Sequence, residues 1–212
     1  MERVIVINAT GLGYQVIRAL GKKGVQSIVI YDQENEELGR YSRYVADSIK
    51  VPRYIEEPQR LLDYLLKKAR EWSGTLIIPT KDYSVEFLAR YKAILSQDYI
   101  IPTPDLDLVT KILNKNILYG DLSRRGIAVP GTVCAQSAGE LYELRDTIKF
   151  PCLLKPGLAH LFLRQFDFKM LEVHNFDDLA RHYRNLTDDF TSDRFKMMIC
   201  DIIPGPDSEQ MI

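Results

Sequence analysis

The opening of the chain alternates continuous apolar runs with a stretch of helical spacing. Residues 4–9 form an apolar run of the kind that is buried on both faces of a parallel sheet. Residues 14–23 then carry apolar side chains at helical spacing, and residues 27–31 return to a continuous run. The pattern predicts a strand–helix–strand unit, closed by Gly24 and with Asp32 at the end of its second strand.

The alternation continues to residue 101. Residues 45–51 predict a third strand, residues 57–72 an amphipathic helix, residues 75–80 another buried strand and residues 99–101 a short one. Asp82 follows the fourth run, where it meets a helix predicted over 83–95. Because ligands bind at the carboxyl ends of strands in open α/β sheets, Asp82 either caps that helix or meets an amine.

From residue 105 the pattern changes to helices separated by single strands. Residues 106–116 and 117–125 predict two helices, and Ser137 with Glu140 gives a capping-box pattern that begins a third. Asn175 is placed to cap a helix over 175–186, whose inner face would carry apolar and aromatic residues. Strands around 150–155, 169–173 and 195–203 would complete a small α+β lobe.

Two strand ends in this half carry candidate chemistry. Lys155 ends an apolar run, and the proline after it is expected to end the strand pairing because it has no amide hydrogen. A lysine there suits a phosphate oxygen, or else it extends from a sheet edge into solvent. The later strand breaks at Ile203-Pro-Gly-Pro-Asp207. Its free backbone groups suit an adenine edge, and its carboxylate suits a ribose diol.

Gly11 and Gly13 form a glycine turn after the first strand, with Asp32 about twenty positions later. That spacing is typical of a dinucleotide-binding turn, in which the carboxylate takes ribose hydroxyls. Val16 replaces the third glycine, which would hinder the close approach of helix and strand. A plain strand-to-helix turn is the favoured interpretation, and NAD binding through Asp32 is the alternative.

Composition excludes several classes of function. The chain has 212 residues, 46% of them apolar, and a net charge of −1, so no long-range field favours nucleic acid or an anionic membrane. No apolar run approaches the roughly 18 residues of a membrane helix, and the first strand pattern begins without the features of a signal peptide. Cys134, Cys152 and Cys200 are interpreted as reduced residues of a cytoplasmic protein.

The order of four segments resembles the ATP-grasp superfamily of ligases. They are Lys115, the Gly126-Ile-Ala-Val-Pro run, Phe150-Pro-x-x-x-Lys155-Pro and Ile203-Pro-Gly-x-Asp207. The resemblance covers the whole chain and is closest to carboxylate–amine ligases of the D-aspartate ligase type, with a more distant likeness to carbamoyl-phosphate synthase large chains. It implies a Rossmann-like pre-ATP-grasp domain over 1–104 and a partial ATP-grasp domain over 105–212.

The resemblance implies ATP as cofactor, and it gives each matching residue a part. The implied ATP contacts are Lys115, Lys155, Lys169, Cys200, Asp201, Ile203 and Asp207. The lysines would reach phosphates, Ile203 would offer backbone groups to adenine, and Asp207 would take ribose hydroxyls. Cys200 departs from the family pattern, where an acidic residue is common. The segment after Pro156 should be a flexible loop over the phosphates, although it is poorer in glycine than many such loops.

The same resemblance points to an acceptor-substrate site in the first half. Ser42-Arg43-Tyr44 matches a triplet that follows the second strand in the D-aspartate type, and a guanidinium clamps a carboxylate with two hydrogen bonds. A solvated loop arginine is the alternative for Arg43. The acceptor candidates are therefore Gly11, Gly13, Arg43 and Asp82.

The resemblance implies phosphoryl transfer from ATP to a carboxylate, followed by attack of an amine on the acyl phosphate. The Mg2+ ligands would lie in a second lobe, so we expect a truncated chain or half of a split gene product, with a naturally short protein as the alternative. Such a chain would bind ATP weakly without turnover. Expected partners are ATP and small carboxylate and amine substrates, with a homodimer as one allowed assembly and no nucleic acid or membrane. A non-catalytic nucleotide-binding module and an NAD-linked oxidoreductase are the alternatives.

Overall fold

The structure is a computed structural model that describes residues 3–33, 37–163, 166, 168–187 and 197–205. The chain forms two compact units, Met1–Thr110 and Lys111–Ile212. The first contains a parallel sheet and the second an antiparallel one. The predicted fold class, a Rossmann-like parallel sheet followed by a small α+β lobe, is confirmed.

The first unit is built on four parallel strands. They are β1 (Arg3–Ile7), β2 (Gln26–Tyr31), β3 (Val45–Lys50) and β4 (Leu76–Pro79), in the spatial order β3-β2-β1-β4. Ile5 of β1 lies in register with Ile28 of β2 and Ile77 of β4. Where residues 99–101 were expected to form a strand, the pair Leu76 and Ile100 makes an isolated parallel bridge.

Alternate residues of β1 pack into two separate cores. Ile5 and Ile7 belong to the core that contains Leu61 and Leu65, whereas Val4 and Val6 belong to the core on the other face of the sheet. All four β1 side chains are at most 1% exposed. Burial on both faces explains why the strand reads as a continuous apolar run.

Helices of the first unit differ from the prediction at their ends. They are α1 (Gly11–Gly21), a 3-10 segment (Leu38–Tyr41), α2 (Pro58–Lys68), α3 (Asp82–Arg90) and α4 (Lys92–Leu95). The single helix predicted over 83–95 is broken at Tyr91. The N-cap residue of α3 is Lys81, whose backbone N–H donates to the Ser84 hydroxyl at 3.0 Å. The predicted capping role of Asp82 is therefore wrong, since Asp82 is the first helical residue.

The second unit is built on an antiparallel sheet in the order β5-β8-β6-β7. Its strands are β5 (Thr132–Val133), β6 (Cys152–Pro156), β7 (Leu171–Val173) and β8 (Met197–Asp201). The helices that follow α4 are α5 (Leu106–Leu113), α6 (Lys115–Arg124), α7 (Ala138–Glu143), α8 (Ala159–Phe162) and α9 (Phe176–Thr187). Within the described residues, no helix combines the length and the apolar character that crossing a membrane requires.

Two predicted caps are confirmed in this unit. The Ser137 hydroxyl accepts from the Glu140 N–H at 3.1 Å, while the Glu140 carboxylate accepts from the Gln136 N–H at 2.7 Å. The Asn175 side chain accepts from the Asp178 N–H at 2.9 Å at the start of α9. Short-range side-chain bonds of this kind leave a clear sequence signal.

One expectation about the end of β6 is wrong, and the flexible loop expected after it stays a prediction. Pro156 does not end the pairing, because it still lies in register with Met197 of β8. The segment after it contains a helical turn, α8, whose Phe162 is fully buried and stacks on Phe166 with ring centroids 4.5 Å apart. Phenylalanine side chains, which bury large apolar area, hold this segment to the core of the unit.

Candidate functional site

The turn between β1 and α1 has an unusual residue at its start. Asn8 is fully buried and has φ of 70°, in the left-handed region that asparagine tolerates better than most residues. Its backbone N–H donates to Ile30 O at 2.8 Å, and its side chain accepts from the Tyr54 hydroxyl at 2.5 Å. Strand pairing and side-chain bonds together hold the turn in this conformation.

Gly13 lets α1 lie against that turn. A Cβ at position 13 would lie 2.2 Å from Asn8 O, a distance that no side chain allows. The Thr80 hydroxyl lies 2.9 Å from both Ile7 O and Asn8 O on the same side. The close approach of helix and strand, which Val16 was expected to hinder, is thus provided by Gly13.

Glu37 joins the segment after β2 to the β1–α1 turn. Its carboxylate is fully buried and accepts from the Asn8 side-chain amide at 3.1 Å and from the Ala9 backbone N–H. The Lys81 ammonium lies 3.5 Å from the same carboxylate. A buried charge with this many partners stabilises one geometry, because loss of a partner would leave the charge unpaired.

Asp32, at the end of β2, is buried without the partners that Glu37 has. It is 5% exposed, and neither carboxylate oxygen has a hydrogen-bond partner in the described part of the chain. Burial raises the pKa of this carboxyl, and the nearby Lys81 charge only partly opposes the rise. A carboxylate this buried is closed to ribose hydroxyls, so the geometry gives no support to the NAD-linked alternative.

A cavity of about 450 Å³ lies beside this turn. It is lined by Ala9, Thr10, Gly11, Tyr14, Leu38, Gly39, Tyr41 and Ser42. Gly39 closes one wall, where its N–H donates to Ala9 O at 3.0 Å and an added Cβ would lie 2.3 Å from that oxygen. The size suits a small molecule.

The four acceptor candidates do not all meet at this cavity. Gly11 lines it and Gly13 supports its floor through Asn8. Arg43 is exposed, lies over the Tyr44 ring at 4.9 Å and donates to the Tyr44 hydroxyl at 2.7 Å. Asp82 is exposed at the start of α3. Neither Arg43 nor Asp82 is among the lining residues.

Sequence reasoning missed the polar residues that build this edge. Asn8 was part of an apolar run, and Glu37 stands in the charged stretch 34–37, which gives no sign of a buried carboxylate. Tyr54 and Lys81 gave no signal of their own. A polar residue that directly ends a buried strand was the one available clue to Asn8, because such positions face ligand edges in open α/β sheets.

In the second unit, Lys155 lies on the sheet face opposite the helix-packed core. Residues Cys152 and Leu154 of β6 point into that core, so Lys155 shares the other face with its register partner Met198. The Lys155 ammonium lies 5.3 Å from the centroid of the Tyr119 ring. No carboxylate among the described residues lies within ion-pair distance of it.

The start of α6 packs against the end of β6. Asn114 caps the helix by accepting from the Asn116 N–H at 3.1 Å, and the Lys115 N–H donates to Gly157 O at 3.0 Å. A Cβ at Gly157 would lie 2.7 Å from the Asn116 amide nitrogen. The Lys115 backbone thus contacts Gly157, which follows Lys155 by two residues.

The remaining ATP candidates are more scattered. Lys169 is exposed just before β7, whose first residue pairs with Leu154. Cys200 is fully buried and accepts from the Thr132 hydroxyl at 3.7 Å, so its thiol is closed to a ligand. Asp201 lies in register with Cys152, on the face opposite Lys155. Ile203 is 66% exposed beyond the end of β8, and Asp207 lies outside the described residues.

The three cysteines are free, as interpreted from the sequence. Burial, with smaller contributions from Asp201 and Cys200, raises the pKa of the Cys152 thiol to about 11, which keeps it protonated at neutral pH. In the part of the chain that the structure describes, no three histidine, cysteine or acidic side chains cluster as metal ligands would.

No protein-family model and no curated protein sequence matches the chain. Solved structures do. The biotin carboxylase domain of Hydrogenobacter thermophilus 2-oxoglutarate carboxylase, in complex with MgADP, ADP and bicarbonate, matches with a TM-score of 0.69 and 18% identity over 95% of this chain and 44% of its own.

Two further structures match equally well. The ADP complex of an N5-carboxyaminoimidazole ribonucleotide synthetase has a TM-score of 0.69 and 14% identity over 96% of this chain and 47% of its own. An L-amino acid ligase from Bacillus licheniformis has a TM-score of 0.69 and 15% identity over 97% and 45%. The chain thus has the fold of ATP-grasp ligases, over a stretch just under half the length of these neighbours.

Proposed function

We propose that this chain is the ATP-binding portion of a ligase that activates a carboxylate for attack by an amine. The observation that carries the proposal is Lys155, a cation near the end of β6 that makes no ion pair with the described carboxylates, in a sheet with the ATP-grasp fold. Two of the neighbours were solved with ADP, which supports a nucleotide at the corresponding fold. The substrate classes follow from the resemblance and remain part of the proposal.

The sheet of the second unit fits an extended nucleotide. Lys155 pairs with Met198, and Cys152 pairs with Asp201, so the lysine and the end of β8 lie about 10 Å apart along the sheet. Lys155, with Lys115 and Lys169, would hold phosphates, while the backbone at Ile203 would meet the adenine edge and Asp207 the ribose. The Asp201 and Cys200 side chains face away or are buried, so their contribution would come from the backbone.

Bound ATP with Mg2+ would supply the phosphoryl group and its charge neutralisation. The residues of this chain would bind and orient the nucleotide: Lys155 balances phosphate charge, and Tyr119 holds its ammonium in place. The cavity beside Gly11 would receive the acceptor substrate, with Gly13 fixing its floor and Arg43 and Asp82 further out. We propose weak ATP binding and no turnover for the chain by itself.

Thermal unfolding with and without MgATP tests the proposal. We expect a rise in midpoint for the unchanged chain, because a ligand of the folded state stabilises it by mass action. The Lys155→Ala variant should lose most of that rise. Lys149→Ala removes an exposed lysine of the same unit and should keep it.

Three outcomes would contradict this proposal. The first is an equal rise for Lys155→Ala and the unchanged chain. The second is a rise with NAD but not with ATP, which would favour the oxidoreductase alternative. The third is sustained ligase turnover by the 212-residue chain, which would contradict the part of the proposal that gives it binding without catalysis.

A further inference from the structure

The cavity of the first unit is surrounded by large apolar side chains that the fold leaves exposed. Leu38 is 74% exposed and Tyr41 is 72% exposed, and both line the cavity. Tyr14, also a lining residue, is 40% exposed, and Leu12 on the same helix is 60% exposed. Exposed apolar side chains grouped around one cavity mark a binding surface, whereas the same residues scattered singly would not.

Among the described residues, none of those that line the cavity carries a charge. A charged group that entered between these residues would lose water without gaining a counter-charge from them, which is costly. An apolar group would instead cover the rings of Tyr14 and Tyr41 and the Leu38 side chain. The chemistry of the lining selects a neutral, apolar occupant of small-molecule size.

The Tyr41 ring is held in place although it is exposed. The Arg40 guanidinium lies between two rings, 4.5 Å from the centroid of Tyr41 and 4.7 Å from that of Tyr31. Arg40 also donates to the Tyr41 hydroxyl at 2.5 Å and to the Tyr31 hydroxyl. Because Tyr31 is itself buried, Arg40 ties the exposed ring to the core of the sheet.

The neighbouring wall is fixed as well. Glu37, directly before the 3-10 segment, is bound by Asn8 and Ala9, and Gly39 is bound to Ala9 O. The cavity thus has its shape before any ligand arrives, which lowers the entropic cost of binding. An exposed ring that a neighbouring side chain holds in place is what a specificity pocket requires.

We propose that this cavity recognises a large apolar side chain, aromatic or branched aliphatic, on the amine substrate, with Tyr41 and Leu38 as specificity-determining residues and Arg40 as a positioning residue. The inference rests on the proposed function for the identity of the occupant as an amino compound. It assigns a substrate class: amino acids with bulky apolar side chains, in preference to small or acidic ones.

Ligand-observed NMR on the 212-residue chain tests this proposal, with L-phenylalanine, L-leucine, glycine and L-aspartate as probes. We expect saturation transfer to phenylalanine and leucine, and none to glycine or aspartate at the same concentration. The Tyr41→Ala variant should weaken phenylalanine binding about tenfold, since one aromatic contact is lost. Tyr41→Phe should stay within about threefold of the unchanged chain, because the ring remains.

Two further variants make the test decisive. Leu38→Ala changes a side chain too exposed to matter for folding and should also weaken binding. Ile94→Ala, an exposed apolar residue of α4 outside the cavity, should leave binding unchanged. Tighter binding of aspartate, equal binding of glycine, no binding of any probe, or no effect of both cavity variants would overturn the proposal.

The outcome is separable from the ATP experiment. Phenylalanine binding that depends on Tyr41, without any effect of MgATP, would leave this inference standing and remove the ligase proposal. A rise in stability with MgATP that depends on Lys155, without binding of any amino acid, would do the reverse.

Discussion

At the scale of single residues, two carboxylates at the same sheet edge have opposite environments. Glu37 is buried with hydrogen-bond donors and a lysine around it, whereas neither oxygen of the buried Asp32 has a hydrogen-bond partner among the described residues. The sequence alone did not show which of the two carboxylates has partners, because both residues stand among polar residues near the end of β2. Which carboxylate is satisfied depends on Asn8 and Lys81, which are distant in the chain.

Asp32 makes stability depend on pH. Its pKa is raised in the folded state, so the folded chain holds that proton more tightly than the unfolded chain. The cost of burying Asp32 is absent well below its ordinary pKa of about 4, where the carboxyl is protonated in both states. It grows as pH rises above that value, because the unfolded chain ionises first, and it is complete once the pH exceeds the raised folded-state pKa. We expect Asp32→Asn to be more stable than the unchanged chain at pH 7 by about 1 kcal/mol.

Urea denaturation at pH 7 and pH 4 measures this difference. The gain should shrink at pH 4, because the unfolded chain then ionises Asp32 only in part. Asp47→Asn, at an exposed position of β3, is the matched control and should change stability by less than about 0.5 kcal/mol at pH 7. Destabilisation by Asp32→Asn at pH 7 would show that the charge has a partner that stabilises it.

At the scale of elements, apolar periodicity predicted most of the structure. All four parallel strands and the helices that pack on them follow from it, because each depends on local burial. Helix ends were less predictable. The predicted helix over 83–95 is broken at Tyr91, whose ring packs against Phe87 at a centroid distance of 5.1 Å. Tertiary packing of this sort has no period in the sequence.

The α1–β1 contact gives a test at this scale. Gly13→Ala would place a Cβ 2.2 Å from Asn8 O, a backbone atom that strand pairing holds, so α1 must shift. We expect a loss of about 1–3 kcal/mol in the free energy of unfolding, as for other overpacked sites. Gly11→Ala has open space around its Cβ and should be neutral or slightly stabilising, since alanine favours helix. Equal effects of the two substitutions on the urea midpoint would refute this account of Gly13.

At the scale of the whole molecule, the family resemblance predicted the fold, and the structure shows where its motifs lie. Lys155 and the start of α6 come together, while Cys200 and Asp201 turn out to be buried or on the other face. The spacing of a motif predicts which residues form the strand. It does not predict on which face of the sheet each side chain lies. The predicted boundary after residue 104 stays a prediction, close to the division of the structure at residue 110.

Amide hydrogen exchange with and without MgATP tests which unit binds the nucleotide. With MgATP we expect slower exchange concentrated in the second unit, at β6, at the start of α6 and at the end of β8, because ligand contacts suppress local opening. Peptides of the first unit should change little by comparison. Protection confined to the first unit would place the nucleotide at the glycine turn and contradict the assignment of Lys155.

The short outer strands of the second sheet have a consequence for handling the protein at high concentration. β5 has two residues and β7 has three, and they occupy the two margins of the sheet. A long edge strand exposes unpaired N–H and C=O groups, to which a strand of another molecule can add and begin a fibril. Because both edge strands here are short, they expose few such groups. The described margins of this sheet are thus protected against intermolecular strand addition.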